Sequence, residues 1–319
     1  MMHTMAITYE GLGLYSQAQV LLEGAVEIQR RVLGSRSPDT LRSMSYLAGI
    51  LAHEGRYAES EKLLREVLDL QRRLLRPEHP DTADSMRRLA SILQQEGRSA
   101  EAEKLFRETL GIERRVLGPE HPDTLISMAN LSLTLQDEGR LAEAEKLQRE
   151  ALDVERRVSG LEQPGTTNSM QILAGILQAE GRFAEAEKLY RETLDIQRRI
   201  LGPEHRLTLN TLELEAGDIS FEGRYGDAEK LFREAIRTAT KADQPGLLAD
   251  AWYNFACTAA TAGRRDEALR YLAQAIDHGY KNPGEMAADD TLKSLHGDAR
   301  FEALVARAKE RAVAAQRLR

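Results

Sequence analysis

Three histidines at equivalent places in the chain are the residues most suggestive of metal chemistry. His79 and His121 are 42 residues apart, and His205 follows at twice that interval. Zinc ligands must converge on one ion at about 2 Å, which side chains separated by whole repeats cannot do. The same position elsewhere holds Ser37 and Gln163, and serine is favoured as the residue that caps a helix N-terminus. We therefore predict that the histidines are N-caps and that the chain has no metal site.

The other reactive side chains lack the partners that catalysis requires. Cys257 has no histidine beside it that could act as a base. Asp289 and Asp290 are adjacent, so one of them is expected to cap a short helix rather than to work as half of an acid–base pair. The sequence contains no phosphate-binding loop, zinc-protease helix, nucleophile elbow or kinase motif set. These observations predict a protein that is not an enzyme and needs no cofactor.

Composition and charge exclude further classes of function. The 319 residues carry a formal net charge of -7 and include one cysteine. Nucleic acids and anionic membranes attract clustered excess Lys and Arg, which this charge balance lacks. There is no uninterrupted apolar stretch of about 18 residues and no signal-peptide pattern. We expect a cytoplasmic protein that binds neither nucleic acid nor membrane, and a single cysteine fits a reducing compartment.

A glycine turn recurs along the chain and defines its architecture. The interval is 42 residues, except that the last interval is 40. The glycines are Gly13, Gly55, Gly97, Gly139, Gly181, Gly223 and Gly263. Each suits the left-handed position that ends a helix. In a representative unit we predict one helix from Pro122 to Glu138, a turn at Gly139 and Arg140, and a second helix from Leu141 to Ser159. The chain is therefore expected to be all-α and built of repeated helix pairs.

Aligned repeats show which positions of the second helix are expected to be buried. One column is small: Ala18, Ser60, Ala102, Ala144, Ala186, Ala228 and Ala268. A neighbouring column is bulky: Leu22, Leu64, Phe106, Tyr190, Phe232 and Leu272. Small residues let two helices approach closely, and the bulky ones fill the space between pairs. Glu103 with Arg107, and Lys104 with Glu108, have the spacing of ion pairs along a solvated outer face.

The repeated motifs resemble a known family. The segment Gly-Pro-Glu-His-Pro-Asp-Thr-Leu at 118–125 and the segment Glu-Ala-Glu-Lys-Leu-Phe-Arg-Glu at 101–108 are similar to the 42-residue tetratricopeptide repeats of the kinesin light chain and nephrocystin-like subgroup. The resemblance covers residues 1 to about 240. It implies a right-handed α-solenoid of about seven helix pairs that acts as a scaffold for other proteins.

The end of the chain departs from the repeat. We predict a short helix from Asp289 to Leu295 and a final helix from Asp298 to about Gln316. The block around Leu292 to Phe301 resembles the terminal module of bacterial tetratricopeptide proteins, some of which carry kinase or cyclase domains upstream. The expected division is a solenoid over residues 1–279, with an incomplete first repeat, and capping helices over residues 280–319.

The resemblance also implies where a partner would bind. In the family the first helix of each pair lines a concave face, and an Asn before its Leu holds a peptide backbone. The corresponding column here reads Tyr46, Arg88, Asn130, Ile172, Leu214 and Asn254, so the Asn ladder is incomplete. The predicted binding residues are Arg42, Tyr46, Arg87, Arg88, Asn130, Gln171 and Asn254. Arg87 and Arg88 are expected to attract acidic residues of the partner. Towards the end of the chain the groove is expected to become acidic at Glu213, Glu215 and Asp218.

Three functions are compatible with these features. The leading one is a non-catalytic scaffold that holds a protein or peptide segment in the groove. An alternative is the sensing arm of a larger signalling protein, such as a kinase or cyclase, whose catalytic domain lies upstream. A third is a self-assembling structural array, since Met1 to Glu10 align with the middle of a first helix and the opening repeat is expected to expose apolar surface.

Overall fold

The computed structural model describes residues 2–11, 14–76, 78–280 and 282–317. In this part of the chain every regular element is a helix, and the helices pack in consecutive antiparallel pairs. The contacts divide the chain into two units, Met1–Val158 and Ser159–Arg319, which are described separately.

The first unit consists of four helix pairs. Its helices are α1 (Met2–Gly11), α2 (Tyr15–Val32), α3 (Pro38–His53), α4 (Tyr57–Leu74), α5 (Pro80–Gln95), α6 (Ser99–Val116), α7 (Pro122–Asp137) and α8 (Leu141–Val158). Each helix packs against the next one along the chain, and the first helices α3, α5 and α7 also contact one another in order. The representative unit is thus confirmed, and both of its helices end one residue earlier than predicted.

The second unit consists of three pairs followed by a shorter helical block. Its helices are α9 (Pro164–Ala179), α10 (Phe183–Ile200), α11 (Arg206–Phe221), α12 (Tyr225–Lys241), α13 (Pro245–Thr261), α14 (Arg265–Asp277), α15 (Pro283–Ala288), a 3₁₀ helix (Asp290–Leu295) and α16 (Ala299–Arg317). The all-α array of helix pairs that the sequence predicts is confirmed in both units.

Both kinds of helix boundary follow from local chemistry. His79 and His121 accept a hydrogen bond at Nδ1 from the backbone two residues ahead, at 3.1 and 3.2 Å, and so cap α5 and α7. At the other end, Gly97 has a φ of 75°, which favours glycine, and its amide closes the last turn of α5. The same positive φ occurs at the other predicted turn glycines from Gly55 to Gly263, whereas Gly13 lies outside the described residues.

The small and bulky columns form the core as predicted. Every member of the small column is fully buried, and no member of the bulky column is more than 1% exposed. Ser60, the one polar member of the small column, donates a hydrogen bond to the Ala48 carbonyl oxygen at 2.6 Å. A hydroxyl therefore fits among the alanines because it has a buried acceptor.

The charged outer face joins neighbouring repeats. Arg107 pairs with Glu103 at 2.7 Å, as predicted, but Glu108 pairs with Arg72 of the preceding repeat at 3.3 Å. The same contact between second helices recurs between Arg114 and Glu150 at 2.8 Å and between Arg198 and Glu234 at 2.6 Å. Each exposed pair contributes at most about 1 kcal/mol, so these contacts support the stacking rather than cause it.

The block after α14 differs in one respect from the sequence prediction. Asp289 caps the short helix by accepting from the Thr291 amide at 2.8 Å, as predicted, and that helix is a 3₁₀ helix. The helix α15 was not predicted, because six residues starting Pro-Gly give too little periodic pattern. The core of this block is continuous with the last repeats, running from Ala216 to Ala308.

Candidate functional site

The first helices α3 and α5 bring together four of the predicted binding residues. A surface pocket of about 280 Å³ is lined by Arg42, Tyr46, Arg87 and Arg88, together with Asp81, Asp84 and Asp123. The α7 residue Asp123 closes its far side. We call the surface formed by the exposed side chains of α3, α5 and α7 the first-helix face.

The arginines of the first-helix face are paired with aspartates of the same face. Arg87 and Arg88 both donate to Asp84, Arg88 through Nε at 2.8 Å, and Arg42 lies 3.3 Å from Asp81. The Arg88 guanidinium also stacks 4.5 Å from the centre of the Tyr46 ring. These contacts fix the direction of the arginines and offset their charge.

Asp81 and Asp84 were not among the binding residues predicted from sequence. Asp84 occupies the same column as Arg42, one repeat later. A comparison of the columns of Arg42, Tyr46 and Arg87 would have predicted that an acidic residue lies among the arginines.

A second pocket lies on the other side of the same arginines. It has a volume of about 380 Å³ and is lined by Arg87, Arg88, His53 and Tyr57, with Gly49 and Ser91 between them. A Cβ added to Gly49 would lie 3.1 Å from the Arg88 guanidinium, so glycine leaves the room that this arginine occupies. Arg87 and Arg88 thus form a wall between two adjacent pockets.

The three predicted amide side chains have different environments. Gln171 donates to Thr211 Oγ1 at 2.6 Å, and Asn254 donates to Glu213 Oε2 at 2.6 Å, both within the second unit. Among the described residues none makes a hydrogen bond with the side-chain amide of Asn130. Only Asn130 therefore presents an amide that is not already bonded to its neighbours.

The second unit has its own pocket, of about 320 Å³, between α11, α13 and the start of α15. It is lined by Arg206, Asn210, Glu213, Asp250, Tyr253, Asn254, Tyr280 and Glu285, among others. The Tyr253 and Tyr280 rings stack with centres 4.3 Å apart and form an apolar wall. The Tyr280 hydroxyl donates to Glu285 at 2.8 Å.

The predicted acidic end of the groove is wrong for two of its three residues. Glu213 lines the pocket of the second unit, but Glu215 and Asp218 are 4% and 0% exposed. Both point at α10, where Glu215 lies 3.4 Å from Arg191. They occupy columns that hold Leu and Ile in earlier repeats, and this position explains their burial.

The cysteine and the groups that could bind a metal ion have the following environments. Cys257 donates to Asp289 at 3.5 Å, and burial raises the pKa of its thiol to about 12, so the thiol stays protonated. Among the described residues no three His, Cys, Asp or Glu side chains converge to hold a metal ion. In the same part of the chain no helix is long and apolar enough to cross a membrane.

Comparison with known proteins establishes the family. A sequence profile of the tetratricopeptide repeat matches residues 43–112, 86–157 and 165–241, which together are more than half of the chain, and a related repeat profile matches residues 1–39. The chain belongs to the tetratricopeptide repeat family. A kinesin light chain-type protein from Podosopora anserina with nearly identical repeats is 31% identical, and the match covers 62% of this chain and 93% of that one, with a TM-score of 0.54. The predicted kinesin light chain-like subgroup is therefore confirmed.

Two more distant structures share the fold of this tetratricopeptide repeat chain. BtubC from P. vanneervenii is 20% identical over 72% of this chain and 92% of that one, with a TM-score of 0.60. The Rap conjugation gene regulator of plasmid pLS20, solved in complex with the Phr* peptide, is 13% identical over 99% of this chain and 94% of that one, with a TM-score of 0.59. No curated protein sequence matches the chain.

One further match concerns the end of the tetratricopeptide repeat chain. A profile described as the N-terminal domain of A/B hydrolase-like proteins matches residues 223–316. It spans less than a third of the chain, and it does not show hydrolase activity. Tetratricopeptide repeat proteins are generally non-catalytic scaffolds, and this chain has the fold of a protein-interaction scaffold.

Proposed function

We propose that the chain binds a segment of another protein on the first-helix face of its first unit. The observation that carries this proposal is the pocket in which Arg42, Tyr46, Arg87 and Arg88 meet. This pocket has an aromatic ring, guanidinium groups held in place by carboxylates, and buried residues at its bottom. Protein interfaces use anchors of this kind most. The open amide of Asn130 lies on the next first helix and supplies a group for a partner backbone.

Comparison of the repeats supports the choice of face. On the second helices the same residue types recur and are occupied by contacts between repeats, as with Arg72, Arg114 and Arg198. On the first helices the column of Arg42 changes to Asp84 and then to Ile126, which is 44% exposed. Positions that change from repeat to repeat are not required for stacking, so they are available for recognition.

The contacts of Arg87 and Arg88 change the prediction that these two residues attract acidic residues of the partner. Asp84 already pairs with Arg87 and Arg88, so an acidic group of the partner would compete with it rather than meet two open arginines. Arg42 also has acidic neighbours, Asp81 at 3.3 Å and Asp39 at 3.8 Å, but 49% of its side chain is exposed, which is more than for Arg87 or Arg88. We therefore propose that Arg42 is the first contact for an acidic residue, and that Arg88 and Tyr46 form the surface beside it.

A matched pair of variants tests the proposed face. The face variant combines Arg42→Glu with Ile126→Ala. The control combines Lys62→Glu with Ile28→Ala on the second helices, where Lys62 is exposed and Ile28 is 44% exposed, so the change of charge and the apolar group removed are the same in both variants. Affinity capture from native lysate, read by quantitative mass spectrometry, should show proteins that the wild type and control retain and the face variant loses. Retention by the face variant, with loss in the control, would place binding on the second helices.

The two alternative functions remain predictions with separate tests. A sensing arm of a signalling protein would be supported by a kinase, cyclase or ATPase reading frame directly upstream of the coding sequence. Self-association would appear as a rise in molecular mass with concentration in light scattering. A single mass over a hundredfold concentration range would contradict the self-assembling array.

A further inference from the structure

The pocket of the second unit differs from the first-helix face in the balance of its charges. Among the described residues of its lining there are three carboxyl groups, those of Glu213, Asp250 and Glu285, and one basic residue, Arg206. In the pocket of the first unit, by contrast, Asp81 pairs with Arg42, and Asp84 pairs with Arg87 and Arg88. The described lining of the second pocket therefore carries more acidic groups than basic ones.

Glu213 shows the imbalance most clearly. Its side chain lines the pocket, is more than nine-tenths buried, and accepts one hydrogen bond, from Asn254 to Oε2. Among the described residues Oε1 has no hydrogen-bond partner. This oxygen is not enclosed, so it is accessible from the pocket and can accept a hydrogen bond from a bound cation.

Neighbouring acidic groups raise the pKa values of two carboxyl groups in this pocket. Burial raises the pKa of Glu213 to about 8, and the Asp250 charge adds to the rise. Burial also raises the pKa of Asp250, and the charge of Glu285 raises it further while Arg206 opposes the change. A positive charge placed among the three carboxyl groups would favour their charged forms and so lower the pKa values of Glu213 and Asp250.

The shape of the pocket restricts what can carry that positive charge. The rings of Tyr253 and Tyr280 stack on each other and line the pocket beside the carboxyl groups, so a small apolar aromatic surface lies next to the acids. An aliphatic stem can lie along such a surface while its charged end reaches the acids. Lysine and arginine side chains have this form, and about 320 Å³ is ample for one of them.

We propose that this pocket binds a lysine or arginine side chain of a protein segment held by the second unit. The proposal rests on the proposed function, because it supposes that a protein segment is the ligand. Glu213, Asp250 and Glu285 receive the cation, and the two tyrosines contact its stem. The pocket would then select a basic residue of the partner, a preference of opposite sign to the one predicted for Arg87 and Arg88.

Selection from a displayed library of random dodecapeptides on the immobilised full chain tests the proposal. The variant is Asp250→Asn with Glu285→Gln, since both side chains are exposed and fold stability should be kept. The control is Glu302→Gln with Glu310→Gln on α16, which removes the same charge from exposed positions of the same unit. The wild type and the control should enrich Lys or Arg at one position, and the variant should lose that enrichment while keeping the others.

A selected peptide then gives the coupling directly by fluorescence anisotropy. Changing its basic residue to glutamine should weaken binding to the wild type about tenfold, equivalent to about 1.4 kcal/mol, and binding to the variant less than about twofold. Enriched peptides without a basic position, or a basic preference that survives in the variant, would overturn this inference and leave the scaffold function in place. Failure of the wild type to enrich any peptide would overturn both.

Discussion

Replacing Asp218 should make the fold more stable in a way that depends on pH. Asp218 is fully buried in α11, and neither carboxylate oxygen has a hydrogen-bond partner among the described residues. The same column holds Ile50, Ile92 and Ile176, each at most 3% exposed. We expect Asp218→Val to restore the apolar column, with valine chosen because it adds less volume than isoleucine between neighbouring aromatic side chains.

The magnitude follows from the shift in protonation. Burial, reinforced by the charges of Glu222, Glu187 and Glu215, raises the pKa of Asp218 from 3.8 to about 7. Below the ordinary pKa the group is protonated in both the folded and the unfolded chain, so it carries no charge penalty. Between about pH 4 and pH 7 the unfolded chain releases the proton and the folded chain keeps it, and the folded state therefore loses stability as pH rises.

The assay compares the two proteins at two pH values. At about 1.4 kcal/mol per pKa unit, the roughly two pH units between pH 5 and the folded pKa should make the advantage of Asp218→Val about 2.5–3 kcal/mol larger at pH 8 than at pH 5. Urea unfolding followed by circular dichroism measures the difference, and hydrogen exchange of the α11 amides assigns it to the second unit. Thr134→Val is the matched control, because Thr134 occupies the same column and its hydroxyl is satisfied by the Asn130 carbonyl oxygen at 2.9 Å.

The control should change stability equally at both pH values. An advantage of Asp218→Val that is the same at pH 5 and pH 8 would refute the reasoning, because it would show that the group does not gain or lose a proton on folding in this range.

Three further predictions concern single positions of the repeat. Ala102→Leu should lower the free energy of unfolding by about 1–3 kcal/mol through overpacking, whereas Ala100→Leu, at an exposed position of the same helix, should leave it nearly unchanged in urea titrations. Glu113→Gln should raise the free energy of unfolding by about 3 kcal/mol at pH 8 and little at pH 4, because burial raises the pKa of Glu113 from 4.5 to about 7. Equal gains at both pH values would contradict this. Gly97→Ala should lower the free energy of unfolding by about 1–2 kcal/mol because of its positive φ alone, since no atom lies near the added Cβ. Gly226→Ala, within α12, should be neutral or stabilising in the same thermal unfolding experiment.

Much of the fold can be predicted from sequence because equivalent positions of the repeats can be compared with one another. A glycine such as Gly139 is needed wherever a helix must end in the left-handed conformation, and a small residue such as Ala102 is needed wherever two helices cross closely. Both requirements recur every 42 residues, so the pattern is visible without any structure. The helix α15 was missed because it occurs once and is too short to show a period.

The candidate site was predicted only in part, for a physical reason. Side chains such as Arg42 and Arg88 could be assigned to one face from their columns, because helical geometry fixes which residues share a face. Their partners could not, since the pairing of Arg88 with Asp84 depends on which neighbouring side chain is nearer. For Glu215, the residue types in its column predict burial better than its own charge does. A position that holds Leu in other repeats is buried even when it carries a charge.

Site-specific photocrosslinking tests the central claim most directly. A photoreactive phenylalanine derivative would replace Ile126 on the first-helix face or Lys104 on the second helix α6, both of which are exposed, in otherwise identical proteins. After irradiation in native lysate, we expect a discrete crosslinked protein from position 126, competed by excess unlabelled wild type, and none from position 104. A competed crosslink from position 104 with none from position 126 would contradict the claim that the first-helix face holds the partner.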